Sequence, residues 1–435
     1  MFTCNRTKAD KRIGSNIAFA VALMCGTALT AGVLETPAYA QKEQKPDYSK
    51  AFVEAYSAVE AHTKGLVVDT DSAKAAFPAM IAAISTADDK MAAGQMMVTI
   101  AISAKDVALQ RRGYEMMLES GRASPEDNAR LLFNSGQLAY TEGEYELART
   151  RIMAASEVGY PVPDLENTIS GIYFLEGRHA EGLSYLKAVA EAAIARGETP
   201  SEALIKRAFS AAYNEGLQDQ ALAWTAMQVQ FYPTDANWTN VIALRREYFD
   251  EDNGIVLDLL RLLDRTAGLA RDNDYISYIR VTNVRYPAET QRIVAQGLAA
   301  GVLTNDRIIV QEAQNGIVAR VAGLRQDMPD LEADARAPGA DGVDAKAAGD
   351  IYLTLQQPAK AEEMYAIAAG KPEVDQNVTN MRMGIAQLDL GKAEAAKASF
   401  AKVTGDYKHV ADLWSVYADT MADAPAAIAV TEAAM

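Results

Sequence analysis

The sequence predicts an all-α solenoid of antiparallel helix pairs, and three observations predict it. First, two stretches 34 residues apart, beginning near Ala129 and Pro163, carry one spaced signature. Gly136, Tyr140, Gly143, Ala148 and Ala155 hold the same offsets as Ser170, Phe174, Gly177, Gly182 and Val189. Second, the signature returns in Tyr213, Gly216 and Ala221, in Gly349 with Ala361, and in Gly384 with Gly391 and Ala396. Self-similarity at a fixed period sets the architecture of a whole chain. Third, 435 residues is long for one compact core, whereas a stack packs each unit only on its neighbours.

The first 40 residues read as a segment outside the fold. Arg6, Lys8, Lys11 and Arg12 form a basic head, an apolar run spans Ile17 to Leu34, and Ala38-Tyr39-Ala40 precedes Gln41. This is the pattern of a secretory leader cut after Ala40, which predicts a periplasmic or secreted protein. Both cysteines, Cys4 and Cys25, fall inside the leader, so the chain beyond Ala40 offers no disulfide, thiolate nucleophile or cysteine metal ligand. No second apolar run reaches membrane length. Net charge is −16. The leader holds four bases and two acids, which leaves about −18 beyond it, a field that repels nucleic-acid phosphates and anionic lipids. A basic protein or peptide, or a neutral ligand, fits that charge better.

The elements follow in order. Residues 41–125 read as an N-terminal helical region with degenerate repeats. Phe52, Val53, Tyr56 and Val59 set helical spacing, and Gly65 ends that helix. A second helix is expected over Ser72 to Ser85 with Ser72 as N-cap, then a hairpin of Met91 to Ala104 and Val107 to Ser120 stopped at Gly121. Ser124-Pro125-Glu126-Asp127 starts the next helix, with proline at the first position and acids in the first turn.

Residues 126–325 are the repeat array. Gly143, Gly177, Gly216 and Gly391 stand where a first helix must end in a left-handed turn. Gly136, Ser170, Gly349 and Gly384 face Ala148, Gly182, Ala361 and Ala396, small residues that let paired helices approach closely. Between Trp238 and Leu303 the pattern weakens into four helices, Val241 to Phe249, Ile255 to Leu263, Tyr275 to Val284 and Ala288 to Leu298. Residues 326–344, with Met328-Pro329 and Ala337-Pro338-Gly339, are expected to be a linker or irregular loop. Residues 345–420 form a C-terminal pair of repeats and 421–435 a frayed tail.

The framework of Gly136 to Ala155, Ser170 to Val189, Gly349 to Ala368 and Gly384 to Val403 resembles the tetratricopeptide repeat family. Phe209 to Gln228 follows it more loosely, and Phe209 and Gln356 depart from it, standing for a small residue and a turn glycine. The resemblance implies a right-handed superhelical solenoid whose first helices line a concave groove for a peptide or a partner's helix. Carried over repeat by repeat, it puts Phe133, Gln137 and Tyr140 in that groove, then Asn167, Gly171 and Phe174, then Lys206, Arg207, Ser210 and Tyr213. The C-terminal pair adds Lys346, Asp350 and Leu353, then Met381, Arg382, Ile385 and Leu388. Tyr140, Phe174 and Tyr213 make either an aromatic ladder of binding anchors or inter-repeat core. Lys206 and Arg207 are the bases placed to hold a partner carboxylate. Gln137, Gly171 and Ser210 stand where the family's carboxylate clamp has asparagines, so a chaperone-tail clamp is not expected.

Chemistry is not expected. His62, His179 and His409 lie in separate regions, and a usable base needs a positioned partner. Asp69-Thr70-Asp71-Ser72 and Asp250-Glu251-Asp252-Asn253-Gly254 begin like calcium loops but have Met80 and Arg261 where the closing glutamate belongs, so they read as helix caps. Met91, Met96, Met97, Met116 and Met117 read as core at helical spacing rather than a soft-metal face. No catalytic, metal-binding or cofactor-binding residue is assigned. The function expected is a non-catalytic protein- or peptide-binding scaffold of the bacterial cell envelope. The alternative is a glycan-binding or glycan-processing envelope protein on the same architecture. Scattered acids such as Glu142, Glu144, Glu146, Glu362 and Glu363 are its weak support.

Overall fold

A computed structural model describes residues 46–64 and 67–422. The leader, Gly65 and the tail beyond Ala422 lie outside the described residues. Those described form helices paired into antiparallel hairpins, with no strand among them.

The N-terminal hairpins are α1 (Lys50–Glu60) with α2 (Thr70–Ala82), and α3 (Ala87–Ala104) with α4 (Val107–Ser120). Asp69, not Ser72, caps α2: its carboxylate accepts from the Ser72 backbone amide, so the helix begins two residues before the expected start. Thr86 and Asp89 close a capping box at α3. Here α3 and α4 cross at Gly94 and Gly113, where an added Cβ on either would lie within 3 Å of the partner's carbonyl. Met96 and Met97 are buried in this first small core and Met116 packs on it, as their spacing indicated.

The repeat array follows as α5 (Pro125–Glu142) with α6 (Tyr145–Glu157), α7 (Leu165–Leu175) with α8 (His179–Ala195), and α9 (Glu202–Asn214) with α10 (Gln218–Phe231). Gly143, Gly177, Gly216 and Gly391 all adopt positive φ, as the turns require. At Gly136 a Cβ would lie 2.7 Å from the Ile152 side chain, which is why this helix surface must be bare. Ala148 beside it is fully buried. Ion pairs stitch successive hairpins, Arg111 with Glu142, Arg151 with Glu115, and Arg149 with Glu176.

The middle pattern resolves into α11 (Asp235–Tyr248) with α12 (Asn253–Thr266) and α13 (Asp272–Thr282) with α14 (Pro287–Ala299). Asp252 caps α12 through two backbone amides, the role read for this acidic turn. A short α15 (Ile308–Gln314) and a long α16 (Ile317–Ala335) follow. The expected irregular stretch is therefore helical as far as Ala335. Pro329 and Arg325, whose carbonyl loses its amide partner, are both exposed, so water satisfies the gap that proline leaves. The C-terminal hairpins are α17 (Val343–Thr354) with α18 (Pro358–Ala368) and α19 (Gln376–Asp389) with α20 (Ala393–Phe400), and α21 (Tyr407–Ala422) ends the described chain.

The two halves pack differently. Residues 52–232 hold three separate small cores. From Leu222 to Ala418 one continuous core joins the middle hairpins to the C-terminal ones. Helix α21 packs on α10, α12 and α19. Residues 255–263 of α12 and 379–388 of α19 are buried on every side, as only a helix enclosed by neighbours can be. The solenoid folds its own end back onto the second helices of its middle hairpins.

Candidate binding surface

The seam between middle and end is built from charge. Arg261 on α12 donates to Glu289 of α14 at 2.9 and 2.6 Å and to Asp258 at 2.8 Å, and the Tyr278 hydroxyl donates to Glu289 at 2.7 Å. Arg382 of α19 reaches Asp258 at 3.4 Å, Asp350 of α17 at 2.9 Å and the Tyr286 hydroxyl at 2.8 Å. Lys346 and the hydroxyls of Tyr365 and Tyr286 complete the shell of Asp350. Burial alone would raise the Asp350 pKa, but the charges of Arg382 and Lys346 outweigh it and hold the carboxyl well below its usual range. Arg245 of α11 makes no ion pair among the described residues. It donates instead to the carbonyls of Leu222 and His409 and to Thr225, clamping α10, α11 and α21 together. Burial pulls its pKa down to about 9, which leaves it charged at neutral pH.

This seam corrects the groove expected of the C-terminal pair, whose Asp350, Leu353, Met381, Ile385 and Leu388 are all buried. Arg382 is 3 % exposed and is spent entirely inside the molecule, so it lines no open groove. Lys346 pairs with Asp350 at 2.9 Å in the same cluster. Spacing alone could not separate them from groove bases, because Arg382 finds one acid 124 residues upstream and both bases share Asp350, which only the fold-back buries.

The first helices of the array carry the other residues expected in the groove. Phe133 stacks on Tyr160 at 4.6 Å, and Gln137 is half-buried on the same helix. Tyr140 tilts against Tyr145 of its own hairpin, Phe174 stacks on His179, and Tyr213 tilts against Phe209. The ladder rungs thus find ring partners within their hairpins. Tyr213 keeps 42 % exposure. Arg207 is not free to hold a partner carboxylate: it donates to Ser170 and to the Asn167 carbonyl and lies over Phe174, joining two hairpins. Asn167 donates to Asp164. Lys206 is exposed and pairs with Glu202 at 2.8 Å, and the Ser210 hydroxyl donates to the Lys206 carbonyl.

The sequence reading missed a fourth rung. Tyr248 ends α11 as Tyr213 nearly ends α9, and its hydroxyl pKa is raised by burial and then by Tyr213 across the hairpin boundary. Beyond it lies an open cleft of about 610 Å³ between α11 and α13, lined by Ala243, Arg246, Glu247, Asp250, Ser277, Arg280 and Val281 among others. Arg246 is tied to Asp274 at 2.8 Å, whereas Glu247, Asp250 and Arg280 make no ion pair among the described residues. The signal was available as a tyrosine 35 residues after Tyr213, hidden because no turn glycine follows it.

A second cleft, of about 420 Å³, opens where the charged seam reaches the surface. Arg261, Asp264, Arg265, Tyr278, Glu289, Arg292, Leu353, Thr354, Gln356, Pro358 and Asp389 line it. Burial raises the Asp389 pKa despite its pairing with Arg265.

No family model matches this chain. No curated protein matches it either. Among solved structures it is similar to that of Naa15/Naa10 bound to HypK-THB, at 14 % identity and a TM-score of 0.20. The alignment covers 82 % of this chain and 64 % of that one, so this chain spans less than two thirds of its length. A superposition that distant carries no functional information. No helix among the described residues is long and apolar enough to cross a membrane.

Proposed function

We propose that this chain is a tetratricopeptide-repeat-type scaffold of the bacterial cell envelope that binds another protein or peptide and performs no chemistry of its own. One observation carries the reading. Helix α21 packs on the second helices α10 and α12, and α16 packs on α14, while the first-helix face keeps exposed Tyr213, the neighbouring Tyr248 and the 610 Å³ cleft. Rigid aromatic side chains beside an open cleft are the features binding hot spots use. Unpaired Glu247 and Asp250 and the net charge of −16 favour a basic segment. The leader-like first 40 residues support export.

The test is capture from native envelope extract, comparing the wild-type chain with Tyr213→Ala/Glu247→Ala. The expected result is a partner held by the wild type and lost by the variant, with both proteins melting at the same temperature. Equal capture by both moves the site elsewhere. Release of products from cell-wall muropeptides would defeat the non-catalytic reading, and recovery of the protein in the cytoplasmic fraction would defeat the envelope assignment.

A further inference from the structure

The cleft at the charged seam shares no residue with the first-helix cleft, and its chemistry is different. Three guanidinium groups and three carboxylates meet there in ready-made pairs: Arg261 with Glu289, Arg265 with Asp389 and Arg292 with Asp264. An anion entering this space competes with a carboxylate already in place, and a cation competes with a guanidinium. A neutral ligand rich in hydroxyls does neither. Each hydroxyl both donates and accepts, so it can meet the unused N–H edge of Arg292 and the unused lone pairs of Asp264 and Asp389 without separating an ion pair. Leu353 and Pro358 supply an apolar edge for the C–H face of such a ligand. A volume of about 420 Å³ lies within the range of small-molecule sites, about 300–1,000 Å³.

A second observation singles out one side chain. In four of the hairpins the residue that turns from first to second helix is glycine at positive φ, namely Gly143, Gly177, Gly216 and Gly391. At the lip of this cleft the same place holds Gln356, at φ 58°. A left-handed backbone disfavours any residue with a Cβ. Gln356 is exposed; its backbone N–H donates to the Leu353 carbonyl at 3.1 Å, and among the described residues its side-chain amide has no hydrogen-bond partner. It gives the fold nothing that glycine would not give better. Lys105 also turns a hairpin at positive φ, but it lines neither cleft.

We propose that the seam cleft binds a neutral saccharide, and that Gln356 contacts it through its free amide. The probes are maltose, cellobiose and N,N′-diacetylchitobiose, titrated into the full chain by calorimetry, with glucose 6-phosphate, glucosamine and inorganic phosphate as charged counterparts. The expected result is saturable binding of at least one neutral disaccharide. Gln356→Gly should weaken it tenfold or more while its melting temperature stays level or rises, since the variant relieves the turn. The proposal is overturned if no neutral disaccharide binds, if a charged probe binds more tightly, or if Gln356→Gly binds as the wild type does. A lower melting temperature for that variant overturns it too, because Gln356 would then be holding the fold.

Discussion

At Ala148 the space left for a side chain is decided by its neighbours, Ile152 one turn on and bare Gly136 opposite. Ala148→Leu should overpack this hairpin and cost about 1–3 kcal/mol in urea unfolding. His409 carries a pH dependence. Burial and then the nearby Arg245 hold its pKa below 6.5, against the opposing pull of Asp219, Asp412 and Asp406, while its ring stacks on Phe249. A depressed folded-state pKa means that the native state binds fewer protons than the unfolded chain. The contribution to stability is therefore complete above about pH 6.5 and is lost as pH falls through the folded value. Melting temperature should drop between pH 7.5 and 5.5, and drop less in His409→Gln. Asp389 has the opposite sign, since burial raises its pKa and acidification relieves it. At this scale the sequence was legible wherever geometry admits one residue type, as at Gly143 and Gly391. It was mute at Gln356, where a side chain occupies a place that glycine would fill more easily.

Helix α19 shows what an element's own pattern can hide. Its small Gly384 and buried Ile385 and Leu388 were readable as a repeat's first helix, yet Thr379, Asn380 and Arg382 are buried as well. Polar residues on an amphipathic helix normally face water, but here Arg382 faces Asp258 of α12 and Asp350 of α17, while Thr379 and Asn380 donate to the carbonyls of Asp375 and Gln376 one turn back. Arg382→Ala should destabilise by about 3–5 kcal/mol, because it leaves two buried carboxylates short of a partner. Lys206→Ala, at an exposed i,i+4 pair, should stay within about 0.5 kcal/mol. Denaturant titration of both variants checks the contrast. Helix α16 was hidden differently. Pro329 looked like a terminator, but it and Arg325 lie on the exposed side of the helix, where a missing backbone bond costs least, so the helix runs through it.

Across the whole molecule, hairpin periodicity was readable but closure was not, because period reports contacts between neighbours and closure depends on contacts far apart in sequence. The N-terminal hairpins rest on three small cores, whereas everything from Leu222 onward shares one. Stability should be uneven in consequence. Hydrogen exchange should reveal α1 to α8 opening locally, in units, while α12 and α19 exchange together and last. Equal protection throughout would mean that the N-terminal hairpins borrow stability from the closed half.

Closure also sets an order of events during synthesis. Asp258 receives Arg382 from 124 residues downstream and gives its carbonyl to Trp414 from 156 residues downstream, and Arg245 waits for the carbonyl of His409. The early hairpins can settle as they emerge, since their contacts are local. The middle ones cannot. Until the last helix is made, Asp258 and Arg245 lack the partners that close the molecule, and a ribosome stalled near residue 400 would present an apolar, half-charged seam to whatever chaperone is nearest.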